Sequence, residues 1–150
     1  MRKLKVRVFF DSNVFLKYLA GVEEAKKLLD KVEYGEWKGY VNDVVISEVV
    51  YGYLRLALNI SRYRLREYVV NYVDRVGELL EQDVYPLFVN FEHLPTSTGI
   101  DTLLEYVVRY KLLPNDALIA TTCKVYDIKD IATFDEDFAR VPWLRIWKEV

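Results

Sequence analysis

Only one cysteine, Cys123, stands in the 150 residues. No disulfide can form within the chain, and the expected setting is reducing and cytoplasmic. Histidine is equally scarce: His93 alone excludes a catalytic pair of histidines and any zinc site built from a histidine cluster. Six glycines and four prolines never gather into a linker, and no repeat interrupts the chain, so one domain over residues 1–150 is expected. No apolar run approaches the ~20 residues that cross a bilayer, so no membrane partner is expected. The opening MRKLKVRVFFDSN has a basic tip and a short apolar stretch, but no long hydrophobic region and no small-residue cleavage site, and it does not read as a signal peptide. Neither charge sign is in clear excess: 21 bases face 23 acids, net −2. The total does not itself point to a nucleic-acid partner. If four carboxylates serve one site, however, the remainder of the chain is slightly basic.

What is abundant is apolar sequence, 52% of the residues, and its pattern is informative. Val6 to Phe10 is a short apolar run of β-formers, as in a strand buried on both faces, and it stops at the helix-starting residues Asp11, Ser12 and Asn13. Helices are predicted from Val14 to Leu19, from Glu23 to Val32 and, after the strand Trp37–Val41, from the capping pair Asn42 and Asp43 onward. One long helix is expected from Ser61 to about Glu81, a third strand region over Val84–Phe91 broken near Pro86, then helices Ile100–Tyr110 and Pro114–Tyr126. A fourth strand over Ile128–Thr133, a short helix over Asp135–Ala139 and an edge strand over Leu144–Trp147 complete the chain. Strands alternating with helices predict a mostly parallel sheet of 4–5 strands covered on both faces, an α/β/α arrangement. Such sheets bind ligands beyond the carboxyl ends of their strands.

Acidic residues recur there. Asp11 follows the first strand, Glu48 lies about two turns into the helix after the second, Asp116 opens the helix after Pro114, and Asp135 and Asp137 follow the fourth strand. Each has an ordinary reading. Asp11, Asp135 and Asp137 can cap helices or make turns, Glu48 can sit on a solvated face, and Asp116 suits a helix N-terminus whatever its function. Jointly they read differently. Carboxylates gathered in one cleft repel, so some must hold a proton or a cation must neutralise them. A hard divalent ion such as Mg²⁺ or Mn²⁺ suits oxygen ligands and allows a phosphodiester to approach.

The segments VFFDSNVFLKYL, VNDVVISEVVYGYL and LLPNDALIATTCKVYDIKDIATFDEDF, taken in order, resemble the sequence blocks of the PIN-domain nucleases, and within them the VapC-type toxins of toxin–antitoxin pairs. NDALIA and TFDEDF are the most specific parts, and the match runs from about residue 6 to 147. The resemblance implies an α/β/α sandwich, Mg²⁺- or Mn²⁺-dependent endoribonuclease activity, an antitoxin partner and a homodimer. Position by position it implies an acidic quartet of Asp11, Glu48, Asp116 and Asp135, with Asp137 as the alternative in the last block. Asn13 is the matching accessory polar residue, and Thr133 is a nearby hydroxyl. A non-catalytic binding module or a housekeeping RNA-processing nuclease of the same fold is the alternative. A phosphatase of the haloacid dehalogenase type is disfavoured, because it needs a second aspartate where Asn13 stands, and a receiver domain lacks its lysine.

The chain departs from the family pattern over residues 57–85 and in the loop 92–99. Within the first of these, SRYRLREY places Arg62 and Arg66 one turn apart among tyrosines. Two readings stand for this stretch: arginines that meet RNA phosphate, or a solvated helix with its tyrosines packed inward. His93 reads as a loop histidine and Cys123 as a small buried hydrophobe.

Overall fold

The computed structural model describes residues 4–150; the basic tip discussed above lies outside them. Five parallel strands form one sheet: β1 (Val6–Phe10), β2 (Trp37–Asn42), β3 (Phe91–Leu94), β4 (Asp130–Ala132) and β5 (Arg145–Trp147), in the spatial order β3-β2-β1-β4-β5. From β1 the chain first steps outward to β2 and β3, then crosses back to β4 and β5 on the other side. Strand order therefore reverses between β1 and β4, the place where open α/β sheets make their crevice.

Between β1 and β2 run α1 (Ser12–Leu19) and α2 (Glu23–Glu33), and α3 (Asp43–Leu58) follows β2. Right-handed crossovers place these on one face of the sheet and α7 (Ile100–Tyr110) with α8 (Pro114–Val125) on the other. Asn42 caps α3, its side chain accepting from the amide of Val45 at 3.1 Å. At the centre of the sheet β1 and β4 are apolar on both faces because both are covered. Val8, Phe9, Phe10, Ile131 and Ala132 are fully buried, and Phe10 lies within 6.1 Å of the rings of Phe15, Trp37 and Phe91. No single helix among the described residues is long and apolar enough to cross a membrane.

Two expectations need correction. The helix expected over residues 61–81 breaks at Tyr72 into α4 (Arg62–Asn71) and α5 (Val73–Leu79). The segment read as the third strand is helical: a π-helical turn, Leu80–Val84, leads into α6 (Tyr85–Phe88), with Pro86 in its first turn, where the missing N–H costs no intrahelical bond. The third strand is the next segment, FEHL, at the sheet edge beside β2. His93 is consequently a strand residue, in register with Val41, its ring paired with the Asp43 carboxylate.

Candidate metal centre

β1 ends in the core, and its next residue, Asp11, is 4% exposed. Its amide continues the sheet by donating to the carbonyl of Ala132, which fixes the carboxyl at the reversal point. The carboxyl caps α1, Oδ1 accepting from the Ser12 amide at 2.8 Å. Oδ2 accepts from the Thr133 hydroxyl at 2.8 Å and the Asn13 amide group at 3.2 Å. Thr133 is fully buried and is the hub beneath the site: its Oγ1 also accepts from the Asp135 amide at 3.0 Å and from Asn13 Nδ2 at 3.3 Å. Asn13 closes the ring by accepting from the Phe134 amide at 3.2 Å. The end of β1 and the end of β4 are thereby tied by side chains as well as by the sheet.

Glu48 reaches the same place from the second turn of α3. Ser12 Oγ donates to its Oε1 at 3.2 Å, and Asn115 Nδ2 to its Oε2 at 3.5 Å. Asp116 arrives from the opposite face of the sheet, in the first turn of α8, where Pro114 sets the helix start. Asp135 caps the 3₁₀ turn Glu136–Arg140, accepting from the Asp137 amide at 2.9 Å. One cleft of about 500 Å³ is lined by Asp11, Ser12, Asn13, Glu48, Leu113, Pro114, Asn115, Asp116 and Asp135. Carboxylate oxygens of Asp116, Asp135 and Asp137 lie within 4.8 Å of one another.

The electrostatics follow from this crowding. Burial, opposed by the hydrogen bonds from Thr133 and Ser12 and reinforced by Glu48 and Asp135, pushes the Asp11 carboxyl up to about 6. Burial, then the charges of Asp11, Asp135, Glu48 and Asp137, pushes Asp116 up to about 7. Two carboxyls are thus raised toward neutrality, first by burial and further by the neighbouring negative charges. The donor set is all oxygen and carries several negative charges, which fits a hard divalent cation. A larger, apolar groove of about 580 Å³ between α3 and residues 77–89 includes one carboxylate, Glu81, and has no comparable set of converging donors.

A PIN-domain family model matches residues 8–144. The chain belongs to the PIN-domain family. Ribonuclease VapC2 of Methanocaldococcus jannaschii is 42% identical to this PIN domain over 151 residues, covering 97% of this chain and 98% of the relative. Ribonuclease VapC6 of the same organism is 33% identical over 156 residues, covering 95% and 97%. In fold, the PIN domain is similar to a toxin–antitoxin complex from Klebsiella pneumoniae, with a TM-score of 0.63 at 20% identity over 92% of this chain and 95% of that one.

Of the residues singled out from the sequence, Asp11, Asn13, Glu48, Asp116 and Asp135 line the cleft, with Thr133 directly beneath. Asp137 joins Asp116 and Asp135, but one of its oxygens accepts from Arg140 at 3.0 Å. Arg62 and Arg66 lie on α4, exposed and outside the cleft lining. Of the tyrosines there, Tyr63 is 79% exposed, whereas Tyr68 packs against the core. Two residues were missed, Ser12 and Asn115. Each is an uncharged neighbour of a site aspartate, and that adjacency was the one available signal. Cys123 is fully buried, as expected, and burial pushes its thiol up.

Proposed function

We propose that this chain is a divalent-metal-dependent endoribonuclease, the VapC-type toxin of a toxin–antitoxin pair, acting as a single PIN domain in the cytoplasm. The observation that carries the reading is the convergence of Asp11, Glu48, Asp116 and Asp135, from four separate elements and both faces of the sheet, on one cleft. The two relatives named as ribonucleases, similar along nearly their whole length, support it. The toxin–antitoxin complex of like fold supports an antitoxin partner, and a homodimer is part of the same reading.

Asp11, Asp116 and Asp135 would hold Mg²⁺ or Mn²⁺, with Asp137 at the margin because Arg140 already engages it. When bound, the cation neutralises these carboxylates, acidifies a water and draws charge from the phosphate under attack. Thr133 and Asn13 hold the Asp11 carboxyl in one orientation, so no reorganisation is needed as the substrate arrives. Glu48, held by Ser12 and Asn115, would orient water beside the scissile phosphate and take its proton.

Purified protein is incubated with structured and single-stranded RNAs in Mn²⁺, in chelator, and as Asp11→Asn. Metal-dependent cleavage that falls at least about 100-fold in the variant is the expected result. RNA bound but uncut with every divalent ion assigns a non-catalytic module instead. Cleavage of a single precursor RNA without growth arrest on expression assigns a housekeeping processing nuclease.

A further inference from the structure

The 17 residues from Val50 to Arg66 contain four arginines, Arg55, Arg62, Arg64 and Arg66, and no acid, in a chain whose net charge is −2. The stretch begins two residues beyond Glu48. On α3, Tyr51 and Arg55 follow Glu48 at spacings of three and seven, so they lie on neighbouring positions of one helix face leading away from the cleft. Seven residues of helix span about 10 Å. α4 then turns away from α3 at 87° and carries Arg62 and Arg66 one turn apart.

All four arginines are exposed, and none forms an ion pair among the described residues, whereas Arg75, Arg109 and Arg140 each do. Two of the four face rings instead. The Arg55 guanidinium stands 6.0 Å from the Tyr51 ring centre, and that of Arg62 stands 4.9 Å from the Tyr63 ring, also donating to its hydroxyl at 2.9 Å. Both rings are open to solvent, Tyr51 at 45% and Tyr63 at 79%. Leu65, buried, holds α4 onto the body so that the arginines stay outward. Unpaired guanidinium groups interleaved with exposed aromatic rings are the features that bind a nucleic-acid strand through phosphates and stacked bases.

We infer that Tyr51, Arg55, Arg62, Tyr63 and Arg66 form a guide surface for the RNA strand on one side of the scissile phosphate, continuous with the acidic cleft at Glu48. The inference rests on the nuclease reading, because it is the cleft that fixes where the strand begins. It also accounts for how an acidic site draws a polyanion: the attraction is supplied alongside the cleft rather than within it.

Binding of a short, unstructured, labelled RNA is followed by fluorescence anisotropy in chelator across a range of KCl concentrations, so that affinity is read apart from cutting. The Arg55→Ala/Arg62→Ala double variant is expected to bind roughly tenfold more weakly or worse, with a salt slope shallower by about 1.4, two contacts' worth for a single strand. In Mn²⁺ it should raise KM and leave kcat at saturation unchanged. Tyr51→Ala should weaken binding with the slope intact. Arg109→Ala, on α7, should change neither, and unaltered thermal midpoints show that the variants fold. Equal affinity and slope in the double variant, with the wild type still cutting, overturns the guide surface alone and leaves these arginines to a protein partner. A wild type that neither binds nor cuts RNA overturns the nuclease reading and this inference together.

Discussion

At the scale of single residues, the cleft is a place where stability has been given up. Asp116 holds its proton up to about 7 because burial and four neighbouring carboxylates oppose its charge. Asn has the same shape and no charge to bury. Asp116→Asn is therefore expected to stabilise the metal-free protein, by about 1 kcal/mol after allowance for solvent at this half-buried position, or roughly 2–4 °C in Tm. It should abolish metal-dependent cleavage at the same time, a stability–activity trade-off that calorimetry in chelator and a cleavage assay can read on one sample. Thr133→Val tests the opposite case. Its hydroxyl serves Asp11, Asp135 and Asn13 at once, and removing it takes one of two donors from the buried Asp11 Oδ2 and the acceptor from the Asp135 amide. We expect a lower Tm together with a 10–100-fold loss of metal affinity, measured by titration. The aspartates could be picked out as candidates in the sequence because each follows a strand or opens a helix where such folds bind ligands, whereas Glu48, in the second turn of α3, rested on the resemblance. Ser12 and Asn115 were not legible, since uncharged polar residues beside an aspartate read first as caps. The choice between Asp135 and Asp137 also lay beyond the sequence: the tight 3₁₀ turn brings both near Asp116, and only Arg140, three residues on, separates them.

Among the elements, the strands in the middle of the sheet and the edge strand β5 were readable in the sequence, and the other edge strand, β3, was not. β3 is FEHL, with its two central residues exposed, because an edge strand facing solvent need not be apolar. The preceding run from Val84 to Phe88 is richer in β-formers, yet it is helical. Its aromatic residue Phe88 packs within 4.8 Å of the Phe15 ring, and the π-helical turn absorbs the change of direction. Tertiary packing decided against local propensity there. The break at Tyr72 likewise has no proline or glycine to mark it. Gly39 shows what places β3 so closely. A Cβ on this residue would lie 2.6 Å from Phe91 and 2.9 Å from Val32, and the Phe91 ring is itself wedged against Phe10 and Phe15, at 5.0 and 5.1 Å. Gly39→Ala is expected to cost about 1–3 kcal/mol by overpacking, a Tm loss of roughly 2–4 °C per kcal/mol in a chain of this size. Because the clash sits beneath the sheet and away from the cleft, RNA cleavage below the melting range should persist.

For the molecule as a whole, the alternation of strands and helices made a parallel sheet with two covered faces readable in advance, whereas the strand order was not, since no local signal states on which side of β1 a returning strand will lie. That order has an energetic consequence. The reversal between β1 and β4 buries Asp11 and part-buries Asp116 and gathers carboxylates from both faces, so that burial first and neighbouring charge second raise the two from 3.8 to about 6 and about 7. Between about pH 4 and 7 the folded, metal-free chain binds more protons at these groups than the unfolded chain does. Their contribution to stability is therefore present below their unfolded value and is lost as pH rises through their folded values. A divalent cation bound in the cleft competes with those protons and replaces them as the neutralising charge. The stabilisation by Mn²⁺, taken as the difference in Tm between Mn²⁺ and chelator, should accordingly be larger at about pH 8 than at about pH 5, where protons already occupy the site. Asp116→Asn isolates the effect from every other titrating group: its metal-induced shift should be small at both pH values, and its Tm in chelator should fall less on going from pH 5 to 8 than that of the wild type. A metal-induced shift independent of pH, or one retained in Asp116→Asn, would place the cation elsewhere than among these carboxylates.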